Sequence, residues 1–282
     1  MKNLIINADD FGLTDEISDA IIHVFKIGNL TSTSLMTNMP SSSYAIKLAK
    51  ENPGLAIGLH FNISEGKSSF GVSSLTDSNG FFKDKMRLIW NIFFNRINFK
   101  DIKKELYCQY NYLKKAGISP THLDSHQHIH MNPKVFKIAA DFAKEKGLNI
   151  RITFPDVIKR PNGKLNYKKR IKQLILKYAA KKNKNYADQI SIKYNQSFNS
   201  IFDFHPFQYP IEEDYKKLIN SAKSDNHELM VHLYKVSDQL KNIYGKSFSK
   251  KEPFFEKATK EMNILCNKNI FENYKLINFK DL

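Results

Sequence analysis

The chain has 282 residues, 41% of them hydrophobic, enough to enclose a sizeable core as one domain, and no apolar run nears the ~20 residues that span a bilayer. Forty-four Lys and Arg against twenty-eight Asp and Glu leave a net charge of +16, while the two cysteines, Cys108 and Cys266, form neither a C-x-x-C pair nor a disulfide framework. This excludes a helical membrane-spanning protein and a disulfide-stapled secreted domain, and a reduced, cytoplasmic protein is the expectation.

The N-terminus, Met1 to Ile6, runs into an apolar strand and then acidic residues rather than into the longer apolar stretch and cleavage site of a signal peptide. Leu4 to Ala8 predicts a buried strand with Asp9 and Asp10 at its C-terminal end. Thr14 to Lys26 has Ile17, Ile21, Val24 and Phe25 at helical spacing, with Thr14 or Asp15 as cap and Gly28 as stop. Ser32 to Met36 predicts a second strand, Tyr44 to Lys50 a helix, and Leu55 to Phe61 a third strand carrying His60. Ser64 to Phe82 is polar and aperiodic, and a loop of that length usually serves as a lid or binding segment.

Lys85 to Lys115 has a helical pattern, with Trp90, Phe93 and Phe94 on an apolar side, and is broken at Gly117 to Pro120. Thr121 to Asp124 predicts a strand leading into His126, His128 and His130. Pro133 to Lys146 predicts a helix and Ile150 to Ile152 a strand. From Lys159 to Lys193 there are twelve basic residues and one acidic residue, Asp188. That stretch reads first as a solvated basic face, then as an attractor of an anionic substrate or headgroup, and least as a nucleic-acid site. Ser200 to Phe204, a helix over Ile211 to Lys223, a strand over Glu228 to Leu233 with His232, a helix over Glu256 to Lys268 and a closing segment from Tyr274 to Phe279 complete the order. Strands alternating with helices, with no repeat or linker, predict an α/β fold with a parallel sheet or a β/α barrel, as one domain over residues 1–282.

Asp9 and Asp10 are too close for both to ionise freely without a compensating cation or hydrogen bonds, so they either frame a metal or cap the following turn. His60 alone reads first as a satisfied core or edge histidine, and second as a site residue. Spacing of two in an extended segment would put His126, His128 and His130 on one face with Asp124, which could then orient a ligating imidazole. His232, at the mouth of a late strand, suits a general acid. Arg151 inside an apolar strand calls for a carboxylate partner, such as Asp9, or a contact to substrate. Asp203 and His205 read as a turn.

Together, Asn7 to Leu13, Leu30 to Ser34, Leu55 to His60 and Pro120 to Met131 match in order the motifs of the YdjC-like carbohydrate deacetylase family, which the chain resembles over most of residues 1–152. The likeness is looser beyond. The resemblance implies a deformed, TIM-like (β/α) barrel that hydrolyses an N-acetyl group from an amino sugar or oligosaccharide. It implies Asp9 as general base, Asp10, His60 and His126 as metal ligands, and His232 as general acid. Arg151 would sit near the base, and His128 and His130 would line the pocket or support the ligands. Two departures stand out: Leu233, rather than the family's usual Pro, follows His232, and the basic 159–193 insertion has no counterpart.

In that scheme one divalent metal polarises the acetamide carbonyl and acidifies bound water, Asp9 takes the water proton, and His232 donates to the leaving nitrogen. Two imidazoles and a carboxylate favour Zn²⁺ over the oxygen-preferring Mg²⁺, although Mg²⁺ is often described for the family. The competing readings are a metal-dependent phosphoesterase or other amidohydrolase, and a non-catalytic sugar or nucleic-acid binder. The charge would also suit an anionic or lipid-linked sugar, and oligomeric state is left open, a homodimer included.

Overall fold

The computed structural model describes residues 2–154, 167–202, 210–222 and 224–282. Among these, the strands β1 (Asn3–Phe11), β2 (Ser32–Leu35), β3 (Ala56–Phe61), β4 (His122–Ser125), β5 (Asn149–Ile150), β6 (Ser197–Asn199) and β7 (Asn226–Val231) form one parallel sheet in the order β5-β4-β3-β2-β1-β7-β6. A two-residue β8 (Lys275–Leu276) adds to the start of β1. The sheet curls until its ends meet. Ile150 bridges to Tyr194, and the Asn195 side chain takes over both ladder bonds to Ile152, accepting from its N–H at 2.7 Å and donating to its carbonyl at 3.0 Å. The α/β barrel expectation holds, in deformed form.

The helices α1 (Asp15–Ile27), α2 (Ser42–Glu51), α3 (Lys85–Phe93), α4 (Phe99–Lys115) and α5 (Pro133–Lys146) separate the first strands. α6 (Tyr167–Gln189), α7 (Glu212–Asn220), α8 (Asp238–Tyr244) and α9 (Phe248–Leu265) follow. Their ends obey local chemistry. Thr14 accepts the Ile17 N–H at the start of α1, Gly28 closes it in the left-handed region at φ 94°, and Asn132 caps α5, whose first residue is a proline that has no N–H to leave unsatisfied. The apolar sides of most of these helices pack against the outer face of the sheet to make one continuous core.

Several elements differ from expectation. The predicted helix over 85–115 is two helices broken at Phe94 to Asn98, because Asn98 caps a new start. β6 lies just before the segment that begins at Ser200, and Asp203 and His205 fall outside the described residues. The last helix begins at Phe248 rather than Glu256 and carries Pro253 within it, and a further helix, α8, precedes it, capped by Ser237, which accepts the Leu240 N–H. The described part of the basic insertion is helical. There α6 turns Ala179, Ala180, Asn183 and Ala187 inward and Lys177, Lys181 and Lys182 outward, and Asn183 donates to the Met131 carbonyl at 2.9 Å.

The barrel interior is polar. Asn7 donates to both Asp9 and Ser34 at 2.9 Å, and Ser34 donates to Asp124 at 2.7 Å and lies 3.1 Å from His122 Nε2. The His122 ring stacks on Phe279 with centroids 3.8 Å apart, and burial pushes its pKa down to about 3, so it is neutral. Gly58 is what admits that ring: a Cβ at 58 would lie 2.3 Å from it, closer than any real contact.

Candidate active site and metal centre

β1 delivers two consecutive carboxylates to one pocket, which strand alternation forbids in regular geometry. The register with β2 shifts between Ala8 and Phe11, and Asp10 sits at φ 67°. Asp tolerates that left-handed conformation better than most residues. Asp9 keeps the inward direction of the strand, and the twist at Asp10 brings the next side chain inward as well.

Asp10 is the hub. Its Oδ1 accepts from His126 Nδ1 at 2.7 Å and lies 3.2 Å from His60 Nε2. Its Oδ2 accepts from the Tyr234 hydroxyl at 2.5 Å and is 3.9 Å from His232 Nε2. Burial acts to raise the Asp10 pKa, but His126 and His60 outweigh it and hold the carboxyl well below the usual range. His60 donates from Nδ1 to Asp124 Oδ1 at 2.8 Å, which turns its Nε2 toward Asp10. Burial acts against a charge on His60, yet Asp124, Asp9 and Asp10 lift its pKa to about 10, so a metal taking Nε2 must displace a proton.

The ligand atoms of Asp10, His60 and His126 all lie within 4.8 Å of one another, and all three residues are buried. Two imidazoles and a carboxylate are the donor set of a hydrolytic zinc site. Asp9, His60 and Asp124 are equally close together, but a cation already occupies that corner. Arg151 Nη1 and Nη2 donate to the two oxygens of Asp9 at 2.8 Å each. Nη1 is also 2.6 Å from Asp124 Oδ2, and Nε donates to Glu228 Oε1 at 2.8 Å. The three carboxylates drive the Arg151 pKa further up against the effect of burial, and Asp124 is held far below its ordinary range by Arg151 and His60 despite burial. The first triad therefore fits a metal, and the second is an arginine site.

The histidine tract is not extended. It coils into a 3₁₀ turn, His126–Met131, with Gln127 and His128 both at φ 56°, so its three imidazoles diverge. The one-face expectation is corrected here: only His126 reaches Asp10. His128 packs edge-on to Phe198, and burial lowers its pKa well below the usual value. His130 lies 2.5 Å from Ser125 Oγ and donates from Nε2 to the Arg151 carbonyl at 3.0 Å. It supports the strand that carries the arginine and is neutral, burial having pushed its pKa to about 4.

His232 follows β7 directly. Its ring is wedged between Phe202 and Phe254, with centroids 4.8 and 5.2 Å away, and its Nδ1 has no hydrogen-bond partner among the described residues. Burial lowers its pKa although Asp10 and Asp9 pull upward. Three contributors went unassigned in the sequence. Tyr234 has no sequence signal beyond its place two residues after His232. Glu228, in the predicted strand but given no role there, is fully buried, with its pKa pushed by burial to about 7 despite Arg151. Glu261, on α9, accepts from the His232 backbone N–H at 2.7 Å and from the Tyr215 hydroxyl at 3.0 Å, and burial raises its pKa to about 8.

Glu261 allows a test by pH. An acid whose folded pKa exceeds its unfolded value, ~4.3 for Glu, carries no penalty below that value and must be held charged above the folded one. Wild-type stability should therefore fall relative to Glu261→Gln as pH rises from about 4.3 to about 8. Urea unfolding across that window reads the difference, and parallel curves would remove Glu261 from the balance.

A cleft of about 1140 Å³ opens beside the site, lined among others by Met39, Glu65, Phe81, Met86 and Lys251, and by Gln127 next to His126. A model of the family described as YdjC-like protein matches residues 3–275. A carbohydrate deacetylase of Clostridium beijerinckii is 39% identical over 149 residues, covering 52% of this chain and 59% of that protein. A chitooligosaccharide deacetylase of Yersinia enterocolitica is 37% identical over 153 residues, covering 54% and 59%. The chain thus spans 59% of the length of these relatives. A crystal structure from Enterococcus faecalis V583, of a protein named for cellobiose-phosphate cleavage, superposes with a TM-score of 0.73 over 99% of this chain and 98% of that one. At 23% identity it speaks to the fold alone.

Proposed function

The chain belongs to the YdjC-like protein family, and on that premise we propose that it is a metal-dependent carbohydrate N-deacetylase acting on an acetylated amino sugar or oligosaccharide. The observation that carries this reading is the convergence of Asp10, His60 and His126 within 4.8 Å, beside an Asp9 held at both oxygens by Arg151. Asp10, His60 and His126 would hold the ion, and their nitrogen-rich donor set favours Zn²⁺ over Mg²⁺. A metal bound there supplies Lewis acidity toward an acyl oxygen and toward water.

The remaining chemistry falls to the chain's own groups. Asp124 fixes the His60 ring by accepting its Nδ1–H at 2.8 Å, which leaves Nε2 for a ligand. Asp9, clamped by Arg151 and Asn7, takes a proton from the attacking water, and Arg151 keeps that carboxylate in one orientation through the cycle. His232 returns a proton to the amide nitrogen so that it leaves as an amine. Because burial lowers its pKa, His232 must be charged during turnover, by the proton that Asp9 removes from water. The names of the relatives, a carbohydrate deacetylase and a chitooligosaccharide deacetylase, support the same substrate class.

The test is acetate release from N,N′-diacetylchitobiose and a panel of acetylated sugars, by enzyme stripped of metal and then restored with Zn²⁺ or Mg²⁺. Release should vanish on stripping and return with the ion, and Asp10→Ala should stay at background while remaining folded by circular dichroism. Release indifferent to stripping would end the metal reading. Failure with every acetylated sugar by a metal-loaded enzyme would end the deacetylase reading.

A further inference from the structure

α3 is apolar on two opposite sides. Leu88 and Ile92 are fully buried and anchor it to the core. Met86, Ile89, Trp90 and Phe93, at spacings of three, four and seven, share the other side, with Phe94 next to them. Met86 is 61%, Trp90 56% and Phe93 69% exposed, and Trp90 stacks on Phe94 at 5.4 Å. A helix apolar all round is normally buried all round. Here one whole side, with Phe81 at 46% exposure near its start, faces solvent instead. Contiguous apolar patches of that kind mark contact surfaces.

Charge identifies what the surface meets. Residues 85–100 contain Lys85, Arg87, Arg96 and Lys100 and no acidic residue, in a chain of net charge +16. All four are exposed, and the Arg96 guanidinium lies 5.3 Å from the Phe94 ring. A second copy packed across a two-fold axis would set this basic rim against itself. An anionic bilayer surface complements both parts, since aromatic and aliphatic side chains enter the headgroup boundary while Lys and Arg meet lipid phosphates. Phe81, Asp84, Lys85 and Met86 also line the cleft beside the candidate site, so a bilayer against α3 would lie at the cleft mouth.

We infer that α3 docks this protein onto anionic lipid surfaces through Met86, Ile89, Trp90, Phe93 and Phe94. This stands apart from the chemistry of the site, and its test needs no substrate. Trp90 is the chain's sole tryptophan, so its fluorescence reports this face alone. With vesicles of equimolar phosphatidylglycerol and phosphatidylcholine, Trp90 emission should shift to the blue and the protein should co-sediment. Vesicles of phosphatidylcholine alone, or salt of about 0.5 M, which shortens the screening length to under ~8 Å, should weaken both signals.

Phe93→Ser, an exposed change outside the site, should lower vesicle partition by about tenfold or more while leaving circular dichroism and Zn²⁺ binding unchanged. Unchanged emission and no co-sedimentation with anionic vesicles would overturn the inference, as would equal partition of Phe93→Ser. A blue shift that appears without lipid as protein concentration rises, with dimers in sedimentation velocity, would overturn it too by assigning the face to a second copy.

Discussion

Arg151→Leu should destabilise the protein by at least about 3–5 kcal/mol, the loss expected when one side of a buried ion pair is removed. Here the stranded side is threefold. Asp9, Asp124 and Glu228 are all fully or nearly buried, and each lies within 2.8 Å of the guanidinium. Phe198, whose ring lies 5.7 Å from the guanidinium, gives no charge in return. The deficit should be largest at alkaline pH. Glu228 has its pKa raised to about 7 even with Arg151 present, so below neutrality it sheds its charge and part of the penalty. Arg151→Lys should recover some stability but not all, because an ammonium cannot make the two parallel bonds to Asp9 and also reach Glu228. Urea midpoints at pH 5 and pH 8 measure both effects. A leucine variant with the wild-type midpoint at pH 8 would mean that the carboxylates have another cation.

Asp9→Asn should lower acetate release by roughly 10²–10⁴-fold, the range for loss of a positioned proton acceptor, while Zn²⁺ still binds one per chain. The contrast with Asp10 matters more than the size of the loss. Asp10 touches His60, His126, Tyr234 and, at 3.9 Å, His232, whereas Asp9 touches Arg151 and Asn7. An Asn at 9 keeps one acceptor for Arg151 and turns an amide toward the other, so a modest loss of thermal stability should accompany the kinetic one. Zinc titration separates the roles. A variant that loses the metal together with activity would make Asp9 a ligand, and one that keeps both would dismiss it as the base.

Much of this was legible in the chain because the determinants are local. Apolar runs ending in acidic or histidine residues located β1, β3, β4 and β7, and Thr14, Gly28 and Pro133 delimited helices by their own conformational needs. The need of Arg151 for a carboxylate could be argued from burial alone, and Asp9 is one of its partners. What escaped depends on where distant segments meet or on backbone torsion. His126, His128 and His130 share a face only if the chain is extended, and two left-handed residues scatter them. Glu228 and Glu261 gain their partners only where distant segments meet, and Tyr234 has meaning only beside Asp10, 224 residues earlier in the chain. The exposed side of α3 had the spacing of a core helix, and spacing cannot say which of two apolar sides meets the core.

The pairing of β1 also constrains how the protein can be made. β1, which precedes every other described strand in the chain, is central: it bonds to β2 on one side and, on the other, to β7 and to β8 near residue 275. Its Leu4 carbonyl receives the N–H of Ile277, and the Asn149 side chain reaches the Phe279 carbonyl, while Phe279 also forms the seat for His122. A nascent chain of 150 residues would therefore hold all three candidate ligands but neither β7 nor the floor beneath them. Contacts of such long sequence separation form late and slowly. The Asp10, His60 and His126 cluster should accordingly mature only once β7, β8 and Phe279 have been made, and removal of residues 275–282, remote from any ligand, should damage the site as surely as a change within it.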